Sequence, residues 1–299
     1  QTSPPVSYEE KKALLEKFEV GRQYLDWQAK SINDAVCEIF ENDVVRGMIC
    51  FLSVIRGFET DSPGLGHIVP AALAAGVNTQ MSKGSTHKLG HSLHKMITLS
   101  GADLIDGMAV KEILVENGRA AGVVCRDGRV FKANKFVVSS LNPTQTFLDM
   151  VGEGNLDKEF SQKVKNFKYS NTTPLFTLLL AQNERLYWKA AAWDPDVNDA
   201  WYLIAGLEGF NDIPELYKDC EERRVPRGMQ LLGAQPAQHD PTQAPPGKCT
   251  SFWWQVAPGN LAEEHGGPDH WDEIREEYTQ RCVDHLAHYA ENLTPDNIV

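Results

Sequence analysis

Val110-Lys-Glu-Ile-Leu-Val-Glu-Asn-Gly-Arg-Ala-Ala-Gly-Val-Val-Cys-Arg-Asp-Gly128 is the stretch whose reading decides the fold. Short apolar runs are separated by Asn117-Gly118 and Asp127-Gly128. Both dipeptides tolerate the positive φ that a tight hairpin turn demands. The pattern predicts three strands, Val110–Glu116, Ala120–Arg126 and Arg129–Ala133, forming a β-meander. Upstream, Ser82-Lys83-Gly84-Ser85 reads as a glycine turn feeding an amphipathic helix from His87 to Ser100. Downstream, Lys135-Phe-Val-Val-Ser-Ser140 reads as a buried strand running into Asn142-Pro143.

Away from this segment the chain changes character. The opening 75 residues are mostly helical in pattern: a helix capped by Ser7 that continues to about Ala29, then Ile32–Phe40, Asp43–Ile55 and a small-residue helix within Val69–Gly76. Thr144–Val151 and Lys158–Asn166 read as short helices. Four β-rich runs follow, beginning at Pro174, Trp201, Gly228 and Thr250, with loops of Asp, Pro and Gly between them. Such spacing exceeds a tight hairpin and predicts a mixed or antiparallel sheet with insertions. A long helix from Asp269 to Glu291 ends the pattern, with Trp271, Ile274, Tyr278 and Leu286 near one face. The fold class is α/β (α+β): a sheet with flanking helices beside a central meander.

Composition bounds the function. With 299 residues, 42% hydrophobic and 23% charged, the chain has ample material for a core. A net charge of −12 repels phosphate backbones and anionic membranes, which argues against nucleic acid but leaves peripheral lipid contact through an apolar patch open. Six cysteines without a C-x-x-C pair suit reduced thiols in an intracellular protein, cytoplasmic or in an organelle matrix. No apolar run reaches the roughly 18 residues of a membrane span. The first residues lack Met and the features of a signal peptide, so the chain reads as one entered partway through.

The motifs are sparse. His87, His91 and His94 fall at i, i+4 and i+7, yet the Glu of H-E-x-x-H is absent, so a His-rich polar helix face is the plainer reading and no metal is assigned. The turn at Lys83-Gly84-Ser85 offers backbone N–H groups to an anion, but neither G-x-x-x-x-G-K-[ST] nor G-x-G-x-x-G is present. No G-x-S-x-G elbow occurs, and Glu221-Glu222 and Glu263-Glu264 read as solvated faces. Phe252 and Trp254 share a face of one strand, either as core or as the wall of an apolar cavity. No catalytic acid, base or nucleophile stands out.

The order of these pieces carries a resemblance. The glycine turn and its helix are followed by Gly101-Ala-Asp-Leu, the meander, Ala133-Asn-Lys-Phe-Val-Val-Ser-Ser-Leu-Asn-Pro143, Pro245-Pro-Gly-Lys-Cys-Thr-Ser-Phe-Trp-Trp-Gln-Val-Ala-Pro258 and Trp271-Asp-Glu-Ile-Arg-Glu-Glu-Tyr. Together they resemble the FAD-dependent phytoene desaturase-like oxidoreductases of the amine oxidase group, and within them the pyridine nucleotide-disulfide oxidoreductase domain-containing protein 2 type. The resemblance runs through most of the chain from about Pro63.

It implies FAD as cofactor in the intact enzyme, with Lys83, Gly84 and Ser85 facing the flavin region, Val110 near the adenine, and Ser139, Ser140 and Asn142 bordering the cofactor. Phe176, Trp201, Phe252 and Trp254 are the candidates for lining a lipophilic substrate's cavity. Residues 77–143 would be a partial FAD-binding domain, with 1–76 the helical part of the substrate domain and 144–299 the rest of it. Two departures stand out. Gly84-Ser85 replaces the family's usual Gly-Gly, and both the dinucleotide fingerprint and the later glycine-rich segment are missing. The expectation is the middle portion of such an enzyme, either a fragment of a longer chain or a natural truncation, with a homodimer or a partner chain supplying the missing FAD-binding segments. The alternative is a non-catalytic binding or scaffold protein derived from that fold.

Overall fold

The computed structural model describes residues 4–77, 79–169 and 174–299. They form two compact units: Gln1–Lys88 with Ser170–Val299, and Leu89–Tyr169.

The larger unit opens with helices α1 (Tyr8–Leu15), α2 (Glu19–Ala29), α3 (Ile32–Ile39), α4 (Asp43–Val54) and α5 (Ile68–Val77). Capping boxes start α1 and α3: Ser7 with Glu10, and Ser31 with Asp34, exchange side-chain and backbone hydrogen bonds. The helix expected to run unbroken to Ala29 is interrupted between Leu15 and Glu19. Helix α6 (His87–Leu99) leads out of this unit into the smaller one.

In the smaller unit β1 (Val110–Glu116), β2 (Arg119–Cys125) and β3 (Val130–Lys132) make the expected antiparallel meander, with both Gly118 and Gly128 at positive φ. A π-helical segment, Thr144–Gly152, packs on β1, and α7 (Lys158–Lys165) packs on that segment. These contacts carry the unit past Pro143, where the sequence placed its boundary. The strand expected at 135–140 is absent. Its residues join no ladder, and Phe136 and Val138 are 69% and 79% exposed. Apolar alternation makes a segment able to be a strand; a pairing partner makes it one, and among the described residues none pairs with it.

The larger unit resumes with β4 (Leu175–Gln182), β5 (Leu203–Ala205), α8 (Asp212–Glu221), β6 (Leu231–Ala234), the single turn α9 (Pro236–His239), β7 (Cys249–Val256) and α10 (His270–Ala287). The four strands form one sheet in the order β4-β7-β6-β5, antiparallel at every pairing. Helix α8 escapes a sequence reading because Pro214 looks like a breaker, yet it sits in the first turn, where no N–H bond is lost.

Strand β7 organises the sheet. Ser251, Trp253 and Gln255 point to one face and are buried, while Phe252 and Trp254 point to the other. On the Trp253 side lie Leu178, Leu180, Leu231 and, from α10, Tyr278, Cys282 and Leu286. Opposite them, Leu232 and Trp254 meet Ile49, Phe51 and Val54 of α4 and Ile213 and Leu216 of α8. The arrangement is three layers, helices on sheet on helix, with two separate cores.

Gly233, paired with Trp253 across β6 and β7, leaves the space that this indole fills. A Cβ there would overlap the Trp253 ring and the Phe252 carbonyl. Gly233→Ala is therefore expected to destabilise the protein by about 2 kcal/mol through overpacking, read as a lowered urea midpoint at unchanged m-value.

Candidate functional site

The Trp254 face of the sheet is not covered all the way. Alongside α4 and past its end it is left open as a trough of three adjoining chambers, with Tyr202 in all three and Leu52 and Trp201 each shared by two. The middle chamber, about 370 Å³, is walled by Leu52, Ile55, Leu232, Trp201 and Trp254. A second, about 260 Å³, is aliphatic, with Val44, Met48, Leu203 and Leu207. The third, about 370 Å³, has Phe252 on one side and the polar segment of Met81, Ser82, Ser85 and Thr86 on the other. Sheet geometry builds this wall. Phe252 and Trp254 stand two residues apart on one strand, so their rings lie side by side, 4.9 Å between centroids. Trp201 is held edge-on to His239 at 4.9 Å.

Three of the four residues expected to line a cavity, Trp201, Phe252 and Trp254, meet here. Phe176 does not. It pairs with Gln255, so it lies on the opposite face, edge-on to Tyr278 at 4.9 Å and beside Trp271 at 6.1 Å. A strand's side chains alternate, and its register with β7 sends Phe176 into the α10 core. Leu52 and Tyr202 are the wall residues that the sequence did not single out. Their only signal is apolar character at the end of a helix and the start of a strand.

The glycine turn closes the trough's polar end. Gly84 and Ser85 both have positive φ, 79° and 71°. The backbone N–H of Gly84 donates to the Asp240 carboxylate at 2.5 Å. That carboxylate also accepts from the Thr242 hydroxyl at 2.7 Å and from the Gln243 amide at 3.2 Å, and the same amide reaches the Met81 sulfur. The hydrogen bond from the Thr242 hydroxyl, then that from Gly84 N–H, hold the Asp240 pKa down from 3.8 to about 2. The turn expected to offer N–H groups to an anion thus already binds one, and it belongs to the protein.

Of the remaining cofactor candidates, Val110, Ser139, Ser140 and Asn142 lie in the smaller unit, and Ser139 and Asn142 are engaged locally. The Ser139 hydroxyl bonds that of Thr146 at 2.8 Å and accepts from Leu141 N–H. Asn142 caps the π-helical segment through Gln145 N–H at 2.9 Å. Val110 pairs with Cys125 in the meander, and Ser140 is exposed. Lys83 is exposed on the turn. A pyrophosphate needs unpaired donors, and Gly84 presents a carboxylate in their place. The Gly84 N–H is therefore not offered to a cofactor phosphate.

Other chemistry is quickly weighed. His87, His91 and His94 are exposed along α6, and among the described residues no group of three His, Cys, Asp or Glu is placed to hold a metal. Burial pushes the thiols of Cys50, Cys220 and Cys282 up to about 12, which leaves them protonated at neutral pH. No helix among the described residues is long and apolar enough to cross a membrane.

No protein family model matches the chain. It is similar to a limonene dehydrogenase subunit of Castellaniella defragrans, 24% identical over 272 residues, which are 87% of this chain and 48% of that protein. The chain therefore spans about half the length of this curated relative. Among solved structures it is similar to an oxidoreductase from Methanosarcina mazei, with a TM-score of 0.56 and 18% identity over 98% of this chain and 61% of the other. The fold is oxidoreductase-like.

Two outcomes follow from the Asp240 clamp. Asp240 is depressed in the folded state, so its stabilisation is complete above about pH 4 and is lost as pH falls toward 2. An acid titration of thermal stability should show this loss in the wild type, and Asp240→Asn should flatten it. Ser85 pays steric strain for its left-handed backbone. Ser85→Gly is expected to raise stability by up to about 1 kcal/mol in urea unfolding, the gain reduced by the added freedom of the unfolded chain.

Proposed function

We propose that this chain is the substrate-holding portion of an oxidoreductase of the FAD-dependent, phytoene desaturase-like kind, acting on a lipophilic small molecule. The observation that carries the reading is the trough: aromatic and aliphatic walls on one sheet face, with polar groups gathered at one end. The similarity to that limonene dehydrogenase subunit, together with the oxidoreductase-like fold, supports it. The chain's own contribution is binding, orientation and exclusion of water. The cofactor would be held by a partner chain, because Gly84, Ser139 and Asn142 are already committed to internal partners.

That same commitment favours a second reading, a binding or scaffold protein that keeps the fold without the cofactor. An absorbance spectrum between roughly 350 and 500 nm, where the flavin ring system absorbs, separates the two when it is taken on the protein purified together with the chain that would hold the cofactor. Flavin in the purified protein, or its uptake from added FAD, overturns the scaffold reading.

The trough is tested with a neutral lipophilic dye, Nile red. Saturable binding is expected, with Trp201→Ala weakening it about ten-fold through loss of one aromatic wall. Nile red fluorescence that does not saturate, or that ignores the substitution, would sink the assignment.

A further inference from the structure

Apart from the clamped Asp240 carboxylate behind its polar end, the trough is charged at one point. Of all the side chains lining its three chambers, Arg56 alone carries a full charge. It stands just past the end of α4, exposed, where the middle chamber meets solvent. This is an acidic chain, with 41 Asp and Glu against 29 Lys and Arg. Even so, Arg56 forms no ion pair among the described residues. One of its N–H groups donates to the Leu52 carbonyl, an ordinary way for a cation to satisfy a helix C-terminus. That bond orients the guanidinium and leaves most of its planar fork of donors for another acceptor.

We infer that the ligand of this trough is an amphiphile with a carboxylate head, the head on Arg56 and the apolar body along Leu52, Leu232 and Trp254. The inference rests on the trough being the substrate site. A carboxylate matches the guanidinium fork in charge and in bidentate geometry. An uncharged hydrocarbon seated in the same place would shed water from the cation and return nothing to it. The residues beside Arg56 suit a chain-like or planar body, since Leu52 and Leu232 line both the middle and the aliphatic chambers.

Isothermal titration of the full chain with decanoate and with 1-decanol, equal in chain length and different in head, tests this. Decanoate is expected to bind at least ten-fold more tightly. Arg56→Gln should erase that preference, and Arg56→Lys should keep part of it, with circular dichroism showing both variants folded. The inference is overturned if the two ligands bind the wild type equally, or if Arg56→Gln keeps the preference for the acid. The first of these results leaves the trough intact as an apolar site. Failure of both ligands to bind removes the trough reading and the inference together.

Discussion

One strand of eight residues must bury both of its faces, and that requirement organises the larger unit. Strand β7 pairs along its whole length with β4 and through Phe252, Trp253 and Trp254 with β6, so its side chains can only go up or down. Trp253, wholly buried, demands a helix over one face, and α10 supplies Tyr278, Cys282 and Leu286. Trp254 demands cover on the other, and α4 supplies it only in part. The trough is the uncovered remainder. It runs along α4 from Val44 to Leu52, past the helix end at Val54, to a wall supplied by the 79–86 segment.

The Asp240 clamp changes how the glycine turn is to be understood. A turn with two consecutive residues at positive φ presents N–H groups to one side, the concavity that anions occupy in many proteins. Here the occupant is a side chain from the far end of the unit, 156 residues along. It stitches the segment before α6 against the loop before β7, and that stitch forms the polar end of the trough. The segment that the resemblance singled out bonds to Asp240 and lines the wall of the trough.

How much of this was legible in the sequence depends on the range of each interaction. The meander was, because Asn117-Gly118 and Asp127-Gly128 impose it over a few residues. Strands β4 and β7 were, because β-rich apolar runs bounded by turn formers survive any context. The face of Phe176 was not: it depends on register with a strand some 75 positions away, and one residue of slip reverses it. The segment 135–140 had the pattern of a strand but not the neighbour. Arg56, Tyr202 and Asp240 carry no local signal at all, since what distinguishes them is the company that tertiary packing gives them.

The discontinuity of the larger unit has a consequence for how the protein comes off the ribosome. The smaller unit is a single uninterrupted stretch, Leu89–Tyr169, whose strands pair with their immediate successors. It can close as soon as it emerges, on the fast timescale of local contacts. The larger unit cannot: its sheet lacks a centre until β7 has been synthesised, so α3, α4 and β4 wait with their apolar sides unsatisfied until then. During that interval Phe51, Trp188 and Leu178, all buried in the folded protein, lack their cover, and the nascent species is one with a finished insert on an unfinished host.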